Sequence, residues 1–270
     1  MELIGGNGKT GLTTPNETTS AATSPTAHPS ATVEEYLETI YNLGMEGEPV
    51  IGARLAEKFR VAPPTVTETL KRLVRDGLVE MDGRRQITLT SRGVELAEAV
   101  LRRHRLTERF LTDMLGMQWH QVHEEACRLE HHISGAVEAR VVAALGSPTT
   151  CPHGNPIPGY VPNARGYLAD RGAFRLSRAA PGQPVAILCV SEVVEDEEEL
   201  ISYLHDRGLT PGTRLARVSP AADGDGESGD GKGVVTLAVG DRRVEVSAHA
   251  AHALWVVPAT GESSGESSGR

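Results

Sequence analysis

Two short stretches concentrate side chains that bind metals. His123, Cys127, Glu130 and His131 fall within the run His123-Glu-Glu-Ala-Cys127-Arg-Leu-Glu130-His131-His132, which contains no glycine or proline. At about 100° per residue, these side chains form a stripe roughly 100° wide on one face of a helix, with His132 directed away. Upstream, His104 and Glu108 stand at i and i+4, again on a common helical face. Imidazole, thiolate and carboxylate on facing helices suit a divalent transition metal, whereas calcium and magnesium prefer all-oxygen shells. A solvated helix carries His and Glu too, so the elements that position these residues decide their meaning.

The chain's 270 residues are enough for one to three domains. No apolar run reaches the roughly 18 residues of a membrane span, and the start lacks the charged and apolar regions of a secretory signal. The three cysteines, Cys127, Cys151 and Cys189, are odd in number and far apart. They make no disulfide framework and fit a reducing cytoplasm. A net charge of −9 weighs against nucleic acid as a partner, but a whole-chain charge can conceal a local patch.

Residues 1–30 are rich in Thr, Ser, Pro, Gly and Ala and read as a disordered arm. Within them, Gly5-Gly-Asn-Gly8-Lys9-Thr10 imitates a phosphate-binding loop, but Leu3 stands where its first glycine belongs. From Thr32, apolar residues recur at three and four positions (Val33, Tyr36, Leu37, Ile40, Tyr41), giving a helix closed near Gly44 and Gly47. A short amphipathic helix over 50–60 follows. Next comes a helix near 62–76, opened by Pro63 and Pro64 or by the capping-box pair Thr65 and Glu68, and stopped by Gly77. Residues 78–89 alternate around Asp82-Gly83, a hairpin signal. Helices and a hairpin in this order describe a winged helix-turn-helix. Between Ile51 and Phe110, thirteen Lys/Arg face eight Asp/Glu, a local +5 in an acidic chain. Lys71, Arg72 and Arg75 lie on the expected recognition helix, with Arg84 and Arg85 at the hairpin tip, as phosphate contacts require.

Ser91 opens a long helix that carries His104 and Glu108 and stops at Gly116; the His123 helix follows. Val137, Val141, Val142 and Leu145 give a further apolar helical face. This is more apolar surface than a small winged helix can cover, and a homodimer interface accounts for the remainder.

The chain resembles the diphtheria-toxin-repressor family of iron-dependent transcriptional regulators. The likeness is carried, in order, by Glu35-Tyr-Leu-Glu-Thr-Ile-Tyr, Pro64-Thr-Val-Thr, Arg75-Asp-Gly-Leu-Val, Arg103-His104-Arg-Leu-Thr-Glu108-Arg, Val122-His123-Glu-Glu-Ala-Cys127-Arg-Leu-Glu130-His131 and Cys151-Pro-His-Gly-Asn155-Pro-Ile-Pro-Gly159. The resemblance implies a metal-activated repressor that binds double-stranded operator DNA as a homodimer and controls metal-homeostasis genes. It also implies two metal sites per subunit. One takes His104, Glu108 and His123, completed by Glu192 and Glu195 of a C-terminal SH3-like domain. The other takes Cys127, Glu130 and His131, completed by Glu35. Iron-responsive members mostly carry methionine where this chain has Glu35; manganese-responsive members carry a carboxylate there but usually lack the equivalent of Cys127. The expected metal is Fe(II), with Mn(II) the alternative. Cys151-x-His153 has the spacing of a zinc pair, yet the resemblance places it in a connecting loop and it reads as one. Thr65, Thr67 and Glu68 are expected at base edges, with Lys71, Arg72, Arg84 and Arg85 on phosphates.

Beyond a Pro- and Gly-rich connection, short apolar segments at 185–190, 214–218, 234–239, 243–246 and 253–257, interrupted by a helix near 198–206, suit an SH3-like barrel. The acidic run 196–199 reads as a solvated face. Residues 221–231 resemble a calcium loop in composition but not in spacing, and read as a flexible insertion. The expected organisation is a disordered arm (1–30), a winged helix-turn-helix (31–93), a helical dimerisation and metal-binding domain (94–165), a linker (166–183), an SH3-like domain (184–258) and a disordered tail (259–270). Two other readings compete. A dinuclear helical-bundle metalloenzyme needs Glu-x-x-His pairs on two helices, and the chain has none. An ordinary winged-helix regulator would carry the His/Cys/Glu cluster by accident.

Overall fold

The structure, a computed structural model, describes residues 29–194, 196–218 and 233–259. The arm up to residue 28, Glu195, the insertion at 221–231 and the tail from residue 260 lie outside the described residues. The first unit contains α1 (Ala31–Met45), α2 (Gly52–Phe59), α3 (Pro63–Arg75), β1 (Val79–Met81) and β2 (Ile87–Leu89). Helix α1 runs through Gly44 and ends at Met45. Helix α3 starts at Pro63 with Ala62 as N-cap, so the prolines set the start and Thr65 lies inside the first turn. Strands β1 and β2 pair antiparallel, with Val79 opposite Leu89 and Met81 opposite Ile87. Their connection is longer than an Asp-Gly two-residue turn. The Asp82 carboxylate accepts from the backbone N–H groups of Arg84 and Gln86, both at 2.8 Å, and Arg85 takes a left-handed φ of 61°. The Asp82 side chain thereby adds to the backbone turn bonds from Arg85 N–H to the Asp82 carbonyl (3.0 Å) and from Asp82 N–H to the Gln86 carbonyl (3.1 Å), and Arg84 and Arg85 stand at the tip.

Helix α4 (Ser91–Asp113) is the frame of the molecule, packing against α1, α5 (Val122–Leu129) and α6 (Gly135–Leu145). Thr90 caps it, accepting from the Gly93 N–H, and its hydroxyl lies 2.8 Å from the Gly77 carbonyl, so one residue joins wing and helix. The segment from His123 is not one continuous α-helix. It tightens after Leu129 into a 3-10 turn over Glu130–His132. That turn advances about 120° per residue, which moves Glu130 and His131 off the straight α-helical stripe.

Strands β3 (Phe174–Arg175), β4 (Pro184–Val190), β5 (Arg214–Arg217), β6 (Val234–Val239), β7 (Arg242–Ser247) and β8 (Leu254–Pro258) form an antiparallel sheet ordered β3-β8-β4-β5-β6-β7. The short helix α9 (Ala248–Ala253) packs against it, as does α8 (Glu197–Asp206), while α7 (Tyr167–Asp170) precedes β3. Leu200, Ile201 and Leu204 of α8 share a core with Val185, Ile187, Leu237 and Val256. The other core crosses units: Tyr36, Leu37, Leu73 and Leu101 pack in one cluster with Tyr167, Leu168 and Cys189.

Polar groups join the units as well. Arg105 on α4 is fully buried. It donates to Glu192 (2.6 Å to Oε2), to Asn42 Oδ1 (3.1 Å) and to the Pro156 carbonyl (2.5 Å). Glu46, at the end of α1, accepts from Arg175 and from the Ser191 hydroxyl, each at 2.7 Å. A charge out of water persists only when paired and hydrogen-bonded, and both sets meet that condition.

Candidate metal centre and DNA-binding face

His104 sits at the middle of a cluster in which Glu108 and Glu130 are buried with it while His123 and Cys127 lie toward the surface. Its Nδ1 is 2.5 Å from Glu130 Oε2 and its Nε2 is 3.1 Å from Glu108 Oε1, so both ring nitrogens face carboxylates. The Cys127 sulfur lies 4.0 Å from His104 Nδ1 and 3.7 Å from His123 Nε2. Helical phase explains these encounters: His104 and Glu108 share one face of α4, while His123 and Cys127 share the facing side of α5. Burial favours neutral groups, and the ion partners overcome it here. The Cys127 thiol is lowered to about 7 by His104 and His123 against the effect of burial. Burial would raise Glu108, but His153 and His104 hold it well below the usual carboxylate range. His104 is raised well above its ordinary value by Glu108 and Glu130, although burial alone would lower it.

The expected ligands separate into those the fold brings together and those it does not. His104, Glu108, His123, Cys127, Glu130 and His131 all join the cluster, His131 through Glu130 Oε1 at 3.2 Å. Glu35 is exposed on α1 yet lies close enough to interact electrostatically with His131 and Glu130; its neighbour Glu34 makes the direct contact with His131, at 2.6 Å, and is braced by Arg103 at 2.8 Å. One residue along a helix is a rotation of about 100°, and Glu34 with Glu38 forms the i, i+4 pair directed at α4 and α5. Glu38, a residue that sequence reasoning passed over, groups with His104 and Glu130. Glu192 is drawn to Arg105 and Asn42, not to the histidines.

The loop Cys151–Asn155 also departs from the sequence expectation. Cys151 and His153 are buried and group with Glu108, their ligand atoms within 4.8 Å of one another. His153 Nε2 lies 2.8 Å from the Trp119 carbonyl, which can only accept, so that nitrogen carries the proton. Its Nδ1 then faces Glu108 Oε1 at 2.9 Å, an arrangement that needs a proton or a cation between the two atoms. The signal in the sequence was the Cys-x-His spacing itself.

These residues fit a divalent transition metal. Glu108 Oε2 and His123 Nδ1 are buried without a hydrogen-bond partner, and the donors mix carboxylate, imidazole and thiolate. Such a set matches borderline metals, and the surplus of buried carboxylates needs positive charge.

On the far side of the winged unit, Thr65, Thr67, Glu68 and Lys71 are exposed along α3, with Arg84 and Arg85 exposed on the hairpin. Arg72 is half-buried. Glu68 and Lys71 pair at 2.7 Å in the open, and the Thr67 hydroxyl donates to the Pro63 carbonyl at 3.0 Å.

A cluster of metal-binding side-chain types behind a winged helix with exposed basic residues is the arrangement of a metal-dependent DNA-binding regulator. Residues 28–87 match the family model for the iron-dependent repressor N-terminal DNA-binding domain, and residues 90–159 match that for the metal-binding and dimerisation domain. The chain belongs to the iron-dependent repressor family. It is 40% identical to the iron-dependent repressor IdeR of Mycobacterium leprae, over 83% of this chain and 96% of that protein. Identity to the diphtheria toxin repressor of Corynebacterium diphtheriae is 36%, with the same coverage. Among solved structures, a manganese-dependent transcriptional repressor in complex with manganese is similar at TM-score 0.68 and 30% identity, covering 84% of this chain and 100% of that one. The IdeR of T. acidophilum is similar at TM-score 0.65 and 25% identity, covering 84% of this chain and 97% of that one.

Proposed function

We propose that the protein represses transcription when a divalent metal, Fe(II) before Mn(II), ties the winged helix to the helices behind it. The observation that carries this reading is the position of His104 between Glu108 and Glu130, with Cys127 beside it and Glu38 reaching in from α1. Two ligand sets follow. One is Glu38, His104, Cys127 and Glu130, with His131 adjoining; the other is Glu108, Cys151 and His153, with His123 between them. A bound ion supplies positive charge that holds these carboxylates and the thiolate together. Cys127 and the imidazoles favour Fe(II). The carboxylates of α1 favour Mn(II) as the second reading, in keeping with the manganese-dependent structural relatives.

Helix α6 buries none of its residues, its Val137 is exposed, and Met114, Leu115 and Leu129 of the same helical region are exposed as well. A second copy of the chain covers this apolar surface and sets two α3 helices in successive major grooves, roughly 34 Å apart. Thr65 and Thr67 touch base edges, Glu68 accepts from cytosine, and Lys71, Arg72, Arg84 and Arg85 hold phosphates. The protein works in the cytoplasm and has no catalytic role. The division into 31–93 and 94–165 suits this assignment of tasks, with the C-terminal unit reaching back from 184 into the expected linker to include β3 (Phe174–Arg175), which pairs with β8. Binding to a duplex from the chain's own upstream region, compared anaerobically with Fe(II), Mn(II) and neither, tests the reading. Metal-independent binding would overturn it, and a response to Mn(II) alone would select the second metal.

A further inference from the structure

Glu197 opens α8 in the acidic run expected to face solvent, yet it is buried. Its Oε1 lies 3.6 Å from His123 Nδ1, which makes no hydrogen bond and also has Glu108 Oε1 at 3.5 Å. Its Oε2 lies 3.1 Å from the Lys58 ammonium. Lys58 is in the last turn of α2, which precedes the recognition helix. The same ammonium donates to the carbonyls of Glu192 at 2.8 Å and Val194 at 2.6 Å. An ammonium has three N–H donors, so Lys58 commits them all to one segment of the barrel. A lysine that merely decorated the surface would keep its head in water.

We propose that Glu197 is a ligand from the barrel to the metal centre and that Lys58 transmits its position to the helix-turn-helix. The inference rests on the metal-activated reading given above. His123, Glu197 and Lys58 form a continuous line from α5 through α8 to α2. A carboxylate has two oxygens, and here one faces the centre while the other faces the helix that supports α3. Leu55 of α2 and Val66 and Leu70 of α3 share one buried core, so a shift of α2 moves the recognition helix with it. An ion that fixes Oε1 therefore narrows the positions open to Lys58, and with it to α3. Glu192 does not take this part, because Arg105 holds both of its oxygens.

Full-length parent, Lys58→Met, Lys58→Arg and Glu197→Gln are compared in three measurements. Amide hydrogen exchange with and without Mn(II) reads α2 and α5. Mn(II) titration without DNA reads the centre. Anisotropy with a duplex selected from a random pool by Mn(II)-loaded parent reads DNA. Mn(II) is expected to slow exchange in both helices of the parent. In Lys58→Met, α5 keeps its response and α2 loses it, and the ratio of DNA affinities with and without Mn(II) falls about tenfold. Lys58→Arg retains the response, since a guanidinium also donates to carbonyls and carboxylates. Glu197→Gln weakens Mn(II) binding by about tenfold or more. Parental protection of α2 in Lys58→Met, or parental Mn(II) affinity in Glu197→Gln, overturns the proposal while the parent still responds to metal. If Mn(II) changes neither exchange nor DNA binding in the parent, the metal-activated reading fails and takes this one with it.

Discussion

Replacing Glu192 by Gln separates structural from metal-binding carboxylates. Glu192 is buried against a fully buried Arg105, whose other acceptors, Asn42 and the Pro156 carbonyl, are neutral. The substitution keeps the shape and removes the only charge paired with the guanidinium among those contacts. Leaving one member of a buried ion pair uncompensated costs about 3–5 kcal/mol. With a urea slope of about 3 kcal/mol per M, the midpoint should fall by roughly 1 to 1.7 M. The double variant Arg105→Met with Glu192→Gln should recover much of this, because no buried charge remains. The pH dependence has a definite sign. Burial would raise the Glu192 carboxyl, but Arg105 lowers it. Its contribution is therefore complete above the unfolded value near ~4.3 and is lost as pH falls through the lower folded value, so parent and variant converge only in acid. Mn(II) affinity should be unchanged, since Glu192 faces Arg105. A midpoint within 0.3 M of the parent at pH 7, by urea unfolding of metal-free protein (roughly ~1 kcal/mol on the same slope), refutes the argument from burial. A double variant no more stable than the single would refute the argument from charge.

Metal affinity should fall about tenfold per pH unit below the Cys127 value of about 7, because the thiol must lose its proton to bind; Mn(II) titration at pH 6, 7 and 8 reads the slope, and Cys127→Ser should lessen it. Arg84→Ala with Arg85→Ala should lower the salt slope of DNA binding by about 1.8 per subunit. An unchanged slope would remove the hairpin from the contact surface. A Cβ on Gly93 would stand 2.0 Å from the Leu78 carbonyl oxygen, so Gly93→Ala should destabilise the winged unit by about 1–3 kcal/mol, seen as faster amide exchange in β1 and β2.

The winged unit was legible because local signals define it: apolar periodicity in α1 and α3, two prolines, and Asp82-Gly83 between alternating runs. His104 with Glu108 and His123 with Cys127 were legible for the same reason, since spacing of four within one helix fixes a shared face. What escaped was phase and long-range docking. That Glu34 and Glu38 stand beside Glu35 at the cluster turns on the roll of α1 against α4, set by Tyr36, Leu37 and Ile40 in the core. The tightening at Glu130 has no glycine or proline to announce it. His153 reaches Glu108, and Glu197 reaches His123, only once a loop and a barrel have docked across dozens of residues. The short β3 and α9 lack a periodic pattern long enough to read.

The seat of His153 bears on how separable the barrel is. Its carbonyl accepts from the Val190 N–H at 3.0 Å, and Asn155 donates to the Val190 carbonyl at 2.9 Å, so the loop is stitched to the end of β4. Gly154 has φ of +87°, and a Cβ there would lie 2.1 Å from the Leu188 carbonyl oxygen. The barrel's backbone is thus the mould in which this loop is cast. A truncated protein ending before β4, or a chimera with a barrel from a distant relative, would lose the imprint that holds His153 against Glu108. Modular dissection of this chain would then measure the damage to a shared surface and mistake it for the contribution of a removable part.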